Sequence, residues 1–155
     1  MTMLEFLCSH HLLAGLDHED VDAVSACARD LVFAPGQMIL LEGHVADSLY
    51  LVRRANVALA VRQARGESVT VEVLTAGAVL SGNWIVAPYR WNCDAHAIDE
   101  VETVAVDATS LRTTALASTL FAVALLSRVA LGALRQLEDT RRRLPPIHEA
   151  LRGDL

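Results

Sequence analysis

Residues 34–52, APGQMILLEGHVADSLYLV, narrow the folds open to this chain more than any other stretch. A Pro35-Gly36 turn leads into an aliphatic run, Gly43 interrupts it, and a second run ends in Leu-Tyr-Leu-Val. Turn, strand, turn, strand at this spacing belongs to a β-roll and not to helices. The same periodicity extends over 30–107, where strands are expected at 31–33, 37–41, 48–52, 55–63, 68–74 and 96–106. Turn signals separate them at Pro35-Gly36, Glu42-Gly43-His44, Arg65-Gly66-Glu67 and Ala76-Gly77, and a short helical turn is expected around 81–87, ahead of Pro88. Short strands at regular spacing are what an antiparallel roll requires.

Helices flank the roll. Residues 4–29 read as a short helix, a break at 15–17, and a second amphipathic helix with Asp17 at its N-cap and Val21, Val24 and Cys27 at helical spacing. After the roll, Asp107 caps a short helix through Leu111, and Ser118 caps a long one reaching about Leu144, stopped by Pro145-Pro146. Along the long helix Leu126, Ala130, Ala133, Leu137, Thr140 and Leu144 alternate four-three spacing, the seam of a parallel coiled coil, which predicts a two-fold homodimer. Glu138 with Arg142 and Asp139 with Arg143 are spaced as surface pairs, so the Arg141-Arg142-Arg143 run reads as a solvated helix end. The expected fold class is α+β in one domain: N-terminal helices over 1–29, an antiparallel β-roll (double-stranded β-helix or jelly-roll-like) over 30–107, C-terminal helices over 108–144 and a tail over 145–155. A chain of 155 residues has room for one real core.

Charge and composition remove several function classes. A formal net charge of −6 argues against coating nucleic acid or anionic lipid. The apolar run over 115–134 is long enough for a membrane span, but Arg128 sits inside it, where a charge costs roughly 2.5–3.5 kcal/mol on insertion scales. A helix buried on one face by its own domain and on another by a partner accounts for it better. The start, MTMLEFLCSHHLLAG, lacks the positive flank and apolar length of a signal peptide, and Cys8, Cys27 and Cys93 show no CxxC pairing. They read as buried thiols of a reducing cytoplasm, with no disulfide framework and no zinc site. His10, His11 and His18 read as solvated helix-end residues, and His44 and His96 are too far apart in sequence for a cupin-type metal cluster. No arrangement of Ser, His, Asp or Cys suggests a nucleophile, so catalysis is not expected.

The PGQ turn, the EGHVADSLYLV segment, the Gly-turn strands, the mid-roll helical turn and the long last helix together resemble the cyclic nucleotide-binding domain of Crp/Fnr-type regulators, over nearly the whole chain. The resemblance implies a bacterial regulatory module for signal transduction, dimerised through its last helix, with cyclic AMP or another small anionic ligand in the roll. In that family a Gly-Glu pair starts a short helix and its Glu grips the ribose, while an Arg-Ser/Thr-Ala triplet grips the cyclic phosphate, an arrangement of helix amides and guanidinium around one anion.

Here the cassette reads GAVLSGNWIVAPYRWNCDAHA. Gly82 or Asn83 replaces the Glu, Trp91 takes the place of the Arg with Arg90 beside it, and the segment is similar to a divergent bacterial subgroup with a Trp-rich stretch ending PYRW. The candidate ligand residues implied are Leu80, Ser81, Gly82, Asn83, Trp84, Arg90, Trp91 and Asn92, joined by Gln136 and Thr140, which fall where the family contacts the base from the helix. Arg90 either reaches the anion or stacks on Trp91 or Trp84 outside the roll; Thr140 is a base contact or an ordinary seam residue. Crp/Fnr regulators continue into a winged helix-turn-helix, but eleven residues follow Leu144, so direct DNA recognition is not expected. Two readings follow: a dimeric regulatory sensor with an altered cassette, or a ligand-free structural or assembly subunit of a larger complex.

Overall fold

The computed structural model describes residues 1–144 and 146, so the expected tail lies outside the described residues apart from Pro146. Thr2 caps helix α1 (Met3–Ser9): its hydroxyl accepts from the Glu5 amide while the Glu5 carboxylate accepts from the Thr2 amide. Gly15, at φ +81°, turns the chain toward α2 (His18–Ala26). This helix stops short of the expected 29, because Ala28 already pairs with Val106 in a sheet. Asp17 stands at the N-cap, but its side chain makes no cap hydrogen bond.

Seven strands follow: β1 (Ala28–Phe33), β2 (Met38–Leu40), β3 (Ser48–Arg54), β4 (Val57–Arg62), β5 (Ser68–Leu74), β6 (Asp94–Ala97) and β7 (Val101–Asp107). They form two antiparallel sheets, β1-β7-β3 and β2-β6-β4-β5. The single strand expected at 96–106 is therefore two. The chain changes sheet between them, and Asn56 holds the crossing point: its carbonyl accepts from the Ile98 amide at 3.0 Å and its side-chain amide donates to Asp99 at 3.1 Å. Around 81–87 there is no helix; a single turn closes with the Ile85 amide donating to Gly82 at 3.2 Å.

Residues 43–46 and 89–91 are stitched together by their backbones. Gly43 donates to Trp91, Trp91 to His44, and Ala46 to Tyr89, at 2.9, 2.9 and 2.7 Å. The segment that identifies the roll in the sequence is thus fastened to the segment that departs from the family pattern.

Asp107 caps α3 (Ala108–Ala117), accepting from the backbone and hydroxyl of Ser110, contacts that hold its carboxyl below the usual range. This helix continues past the expected end at Leu111, and within it the Thr113 and Thr114 hydroxyls donate to the Thr109 and Ser110 carbonyls one turn back. Ser118 caps α4 (Thr119–Arg143), accepting from the Phe121 amide. Phe121 and Leu125 carry one face of α4 into the core, where they join Leu7, Leu12 and Leu13 from the N-terminus and Leu49, Leu51, Val57, Trp84, Trp91 and Val104 from the roll.

Three expectations about single residues change. His10 is buried rather than solvated: Nε2 donates to the Gly77 carbonyl at 2.8 Å and Nδ1 accepts from the Leu12 amide at 3.2 Å. Cys8 is exposed and Cys27 half-buried, leaving Cys93 as the one fully buried thiol. Arg142 pairs with Asp139 at 3.5 Å, one position nearer than its expected partner Glu138, in an exposed contact of little energetic weight. In addition, α4 is buried on one side alone. By length and composition it could cross a membrane, and its outward face is apolar. Arg128 is turned inward, donating to the Leu12 carbonyl at 3.0 Å.

Candidate functional site

Between the four-stranded sheet and α4 lies an open groove of about 640 Å³. Its sheet wall is made by Leu59 of β4 and Val71 and Glu72 of β5; its floor by Leu80 to Asn83 with Ile85 and Val86; its far wall by Val129, Ala133, Gln136, Leu137 and Thr140 of α4. Asn92 and Cys93 close one end. The floor is fixed to the roll through the Leu80 amide, which donates to Tyr50 at 3.1 Å.

Polar side chains in the groove are largely organised by one another. The Ser81 hydroxyl donates to Asn83 Oδ1 at 2.6 Å, and the Asn92 amide donates to the same oxygen at 3.4 Å, so the Asn83 amino group is the end left over. Gln136 Nε2 donates to Glu72 Oε2 at 2.6 Å, a bridge from α4 to β5 across the groove. Thr140 donates back to the Gln136 carbonyl at 2.9 Å. Burial, with the nearby Asp94 and Glu42 carboxylates, raises the pKa of the Cys93 thiol, so this residue is neutral. Among the described residues Glu72 is the one charged side chain lining the groove.

Seven of the ten residues expected at a ligand site, Leu80, Ser81, Gly82, Asn83, Asn92, Gln136 and Thr140, line this groove. Trp84, Arg90 and Trp91 do not. Trp91 is buried in the core with its ring 6.2 Å from Tyr50. Arg90 points away, donating to the Gly43 carbonyl at 2.8 Å, and neither stacks on a tryptophan nor reaches the groove. The backbone stitch between 43–46 and 89–91 is the reason: it spends residues 89–91 on holding a loop. Trp84 is fully buried and belongs instead to a smaller apolar cavity of about 260 Å³, shared with Arg112, Leu116 and Leu126. Arg112 lies over the Tyr89 ring at 4.1 Å and donates to the Trp84 carbonyl, fixing the loop from outside.

Glu72, Leu59 and Val71 are groove residues that sequence reasoning missed. A bulge in β5 opposite Leu59 and Ala60 breaks the strand alternation and leaves Val71 beside Glu72 on the groove, and nothing in the sequence marks that bulge or says which face meets α4. Among the described residues no cluster of three or more His, Cys, Asp or Glu could hold a metal ion.

A β-roll of two antiparallel sheets, flanked by N-terminal helices and closed over an open groove by a long last helix, is the architecture of ligand-sensing domains of the Crp/Fnr type. The chain belongs to the cyclic nucleotide-binding domain family, whose model matches residues 30–117. Its fold is similar to a Geobacter metallireducens protein described as cyclic nucleotide-binding (23% identity, TM-score 0.78, 88% of this chain and 99% of that one). It is also similar to the N-terminal domain of a Streptomyces coelicolor transcriptional regulator (25%, 0.68, 88% and 94%). A third likeness is the regulatory subunit of a cAMP-independent protein kinase A from Trypanosoma cruzi, bound to guanosine (23%, 0.66, 72% and 40%). No curated protein matches the chain. The Streptomyces and Trypanosoma neighbours are parts of regulatory proteins.

Proposed function

We propose that this chain is a non-catalytic regulatory module that senses a small ligand in the groove and works as a homodimer through α4. The observation that carries this reading is the double use of α4: Ala133, Leu137 and Thr140 wall the groove, and Leu137 also continues the exposed apolar side of the same helix with Leu120, Val123 and Leu134. A ligand that orders the groove would then bear on the surface that pairs two copies. Support for pairing comes from α4 itself, which leaves Val123, Leu126, Leu131, Leu134 and Leu137 exposed in the monomer, an apolar face of the kind that marks a protein interface. The module acts in the cytoplasm, outside any membrane.

The ligand residues in this reading are Ser81, Gly82, Asn83 and Asn92 from the roll and Gln136 and Thr140 from α4. Cyclic AMP or another small anion, the ligand type the sequence implied, finds no guanidinium in the groove, and the trypanosomal relative is an example of this fold bound to a nucleoside without phosphate. The test is a thermal shift across nucleosides, nucleotides and small metabolites, compared between the native chain and Ala133→Trp, which fills the groove from α4. A ligand-dependent rise in Tm present in the first and lost in the second supports the sensor.

The second reading, a ligand-free assembly subunit, is favoured by one observation: Trp84 and Trp91 occupy the core where the cassette would otherwise contribute to binding. A stable dimer with no Tm response to any compound, and a co-purifying protein partner, would select it.

A further inference from the structure

Resting on the sensor reading, we infer that the groove is selective for an uncharged nucleoside-like ligand and rejects the phosphate-bearing form, with Glu72 as the residue that discriminates. Three features of the site converge on this. The groove holds one charged side chain, and it is a carboxylate. No guanidinium of the described residues lines it: Arg135 and Arg141, next in sequence to Gln136 and Thr140, lie outside the lining, Arg90 donates to the Gly43 carbonyl, and Arg62 pairs with the buried Asp94 at 3.2 Å. Finally, 81–87 forms a single turn in place of a helix, so no row of helix N-terminal amides faces the groove floor. Among the described residues both means of holding a phosphate, guanidinium and helix N-terminal amides, are therefore missing from the groove, while a like charge is present.

What remains suits a flat ring bearing hydroxyl or amino donors. Leu59 and Val71 on the sheet and Val129 and Leu137 on α4 supply two aliphatic walls. The spare amino group of Asn83 donates, and Glu72 accepts. Gln136 occupies one carboxylate oxygen of Glu72, leaving Oε1 without a partner among the described residues. A ligand hydroxyl or amine bonded to that oxygen would join the bridge between β5 and α4 instead of breaking it. A phosphate group near the same oxygen could only repel it.

Isothermal titration of the full chain with adenosine, guanosine and their 3′,5′-cyclic monophosphates tests this. At least one nucleoside is expected to bind tenfold or more tightly than its cyclic phosphate, and Glu72→Gln, which removes the charge while keeping the shape, should narrow that ratio at least threefold. Cyclic phosphates binding as tightly as the nucleosides or more so would overturn the inference while leaving a ligand-sensing groove in place. An unchanged ratio in Glu72→Gln would remove Glu72 from the role. If none of the four binds to protein shown folded by circular dichroism, this inference falls, and the sensor reading falls with it when the wider thermal-shift panel gives no response either.

Discussion

His10 shows how one side chain ties distant parts of the fold and what that makes it sensitive to. Its two nitrogens are both engaged, Nε2 as donor to Gly77 and Nδ1 as acceptor from Leu12, which selects the neutral ring protonated at Nε2. Burial, with help from the neighbouring His11, lowers its pKa to about 4. In the unfolded chain the ring titrates near its ordinary value of 6.5, so between these limits the unfolded state binds more protons and stability falls as pH falls. Urea unfolding at steps from pH 7 to 4 should show a decline beginning near 6.5 and flattening near 4. His10→Gln should lower stability at pH 7 and reduce the slope; equal slopes would remove His10 as the cause. Trp91 makes a second residue-scale case. The family resemblance implies a phosphate-binding Arg at its place, whereas the structure makes it a core side chain, so Trp91→Ala should cost about 3–5 kcal/mol of unfolding free energy, measured by the same urea titration. A loss below about 1 kcal/mol would contradict its core role. Neither role was legible beforehand, because each depends on a partner far along the chain: Gly77 for His10, and the 43–46 stitch for Trp91.

At the scale of elements, the signals that are local in sequence are the ones the structure reproduces. Asp107 and Ser118 cap their helices as their residue types and positions indicate, since a cap needs only the next three residues. Strand positions across 31–74 follow for the same reason. The register of α4 against other surfaces is different, because a heptad reading cannot tell which of two overlapping seams faces outward. The seam through Leu126, Ala130, Ala133, Leu137, Thr140 and Leu144 shares three residues with the groove wall. A second, through Leu120, Val123, Ser127, Ala130, Leu134 and Leu137, keeps the same alternation and shares Leu137 alone with the groove wall, with Leu120 at 84% and Leu134 at 57% exposure. Pairing through the second seam makes Leu134→Glu the disruptive change: burial worth about 1.5–3 kcal/mol per side chain is lost from both protomers, and the dimer Kd should rise roughly a hundredfold or more. Thr140→Glu should leave the dimer intact. Sedimentation velocity over a dilution series separates the two; dissociation by Thr140→Glu and not by Leu134→Glu would restore the first seam.

Across the whole molecule, three bodies meet at residues 10–16: the N-terminal helices, the roll and α4. His10 fastens this segment to the roll at Gly77, and Arg128 fastens it to α4 at Leu12. In the sequence Arg128 served only to argue against a membrane span; its partner, 116 residues away, has no local signature, which is why the three-body junction could not be read in advance. The physical consequence is that α4 is braced from behind. With its opposite face apolar and exposed, the angle of the helix depends on the packing of Phe121, Leu125 and Val129, on the Gln136–Glu72 bridge and on this guanidinium. A charge-assisted hydrogen bond of this kind is worth about 1.5–3 kcal/mol, and truncation also removes the aliphatic stem that packs beside it. Arg128→Ala should therefore loosen the junction without unfolding the roll, whose two sheets hold their own ladders. Hydrogen–deuterium exchange of the variant should speed up across α1, α2 and the middle of α4, and β3, β4 and β7 should keep their native protection. Uniform acceleration in every strand would mean that Arg128 supports global stability alone, and unchanged exchange in α1 and α2 would mean that the N-terminal helices are held by their apolar contacts and owe nothing to the brace.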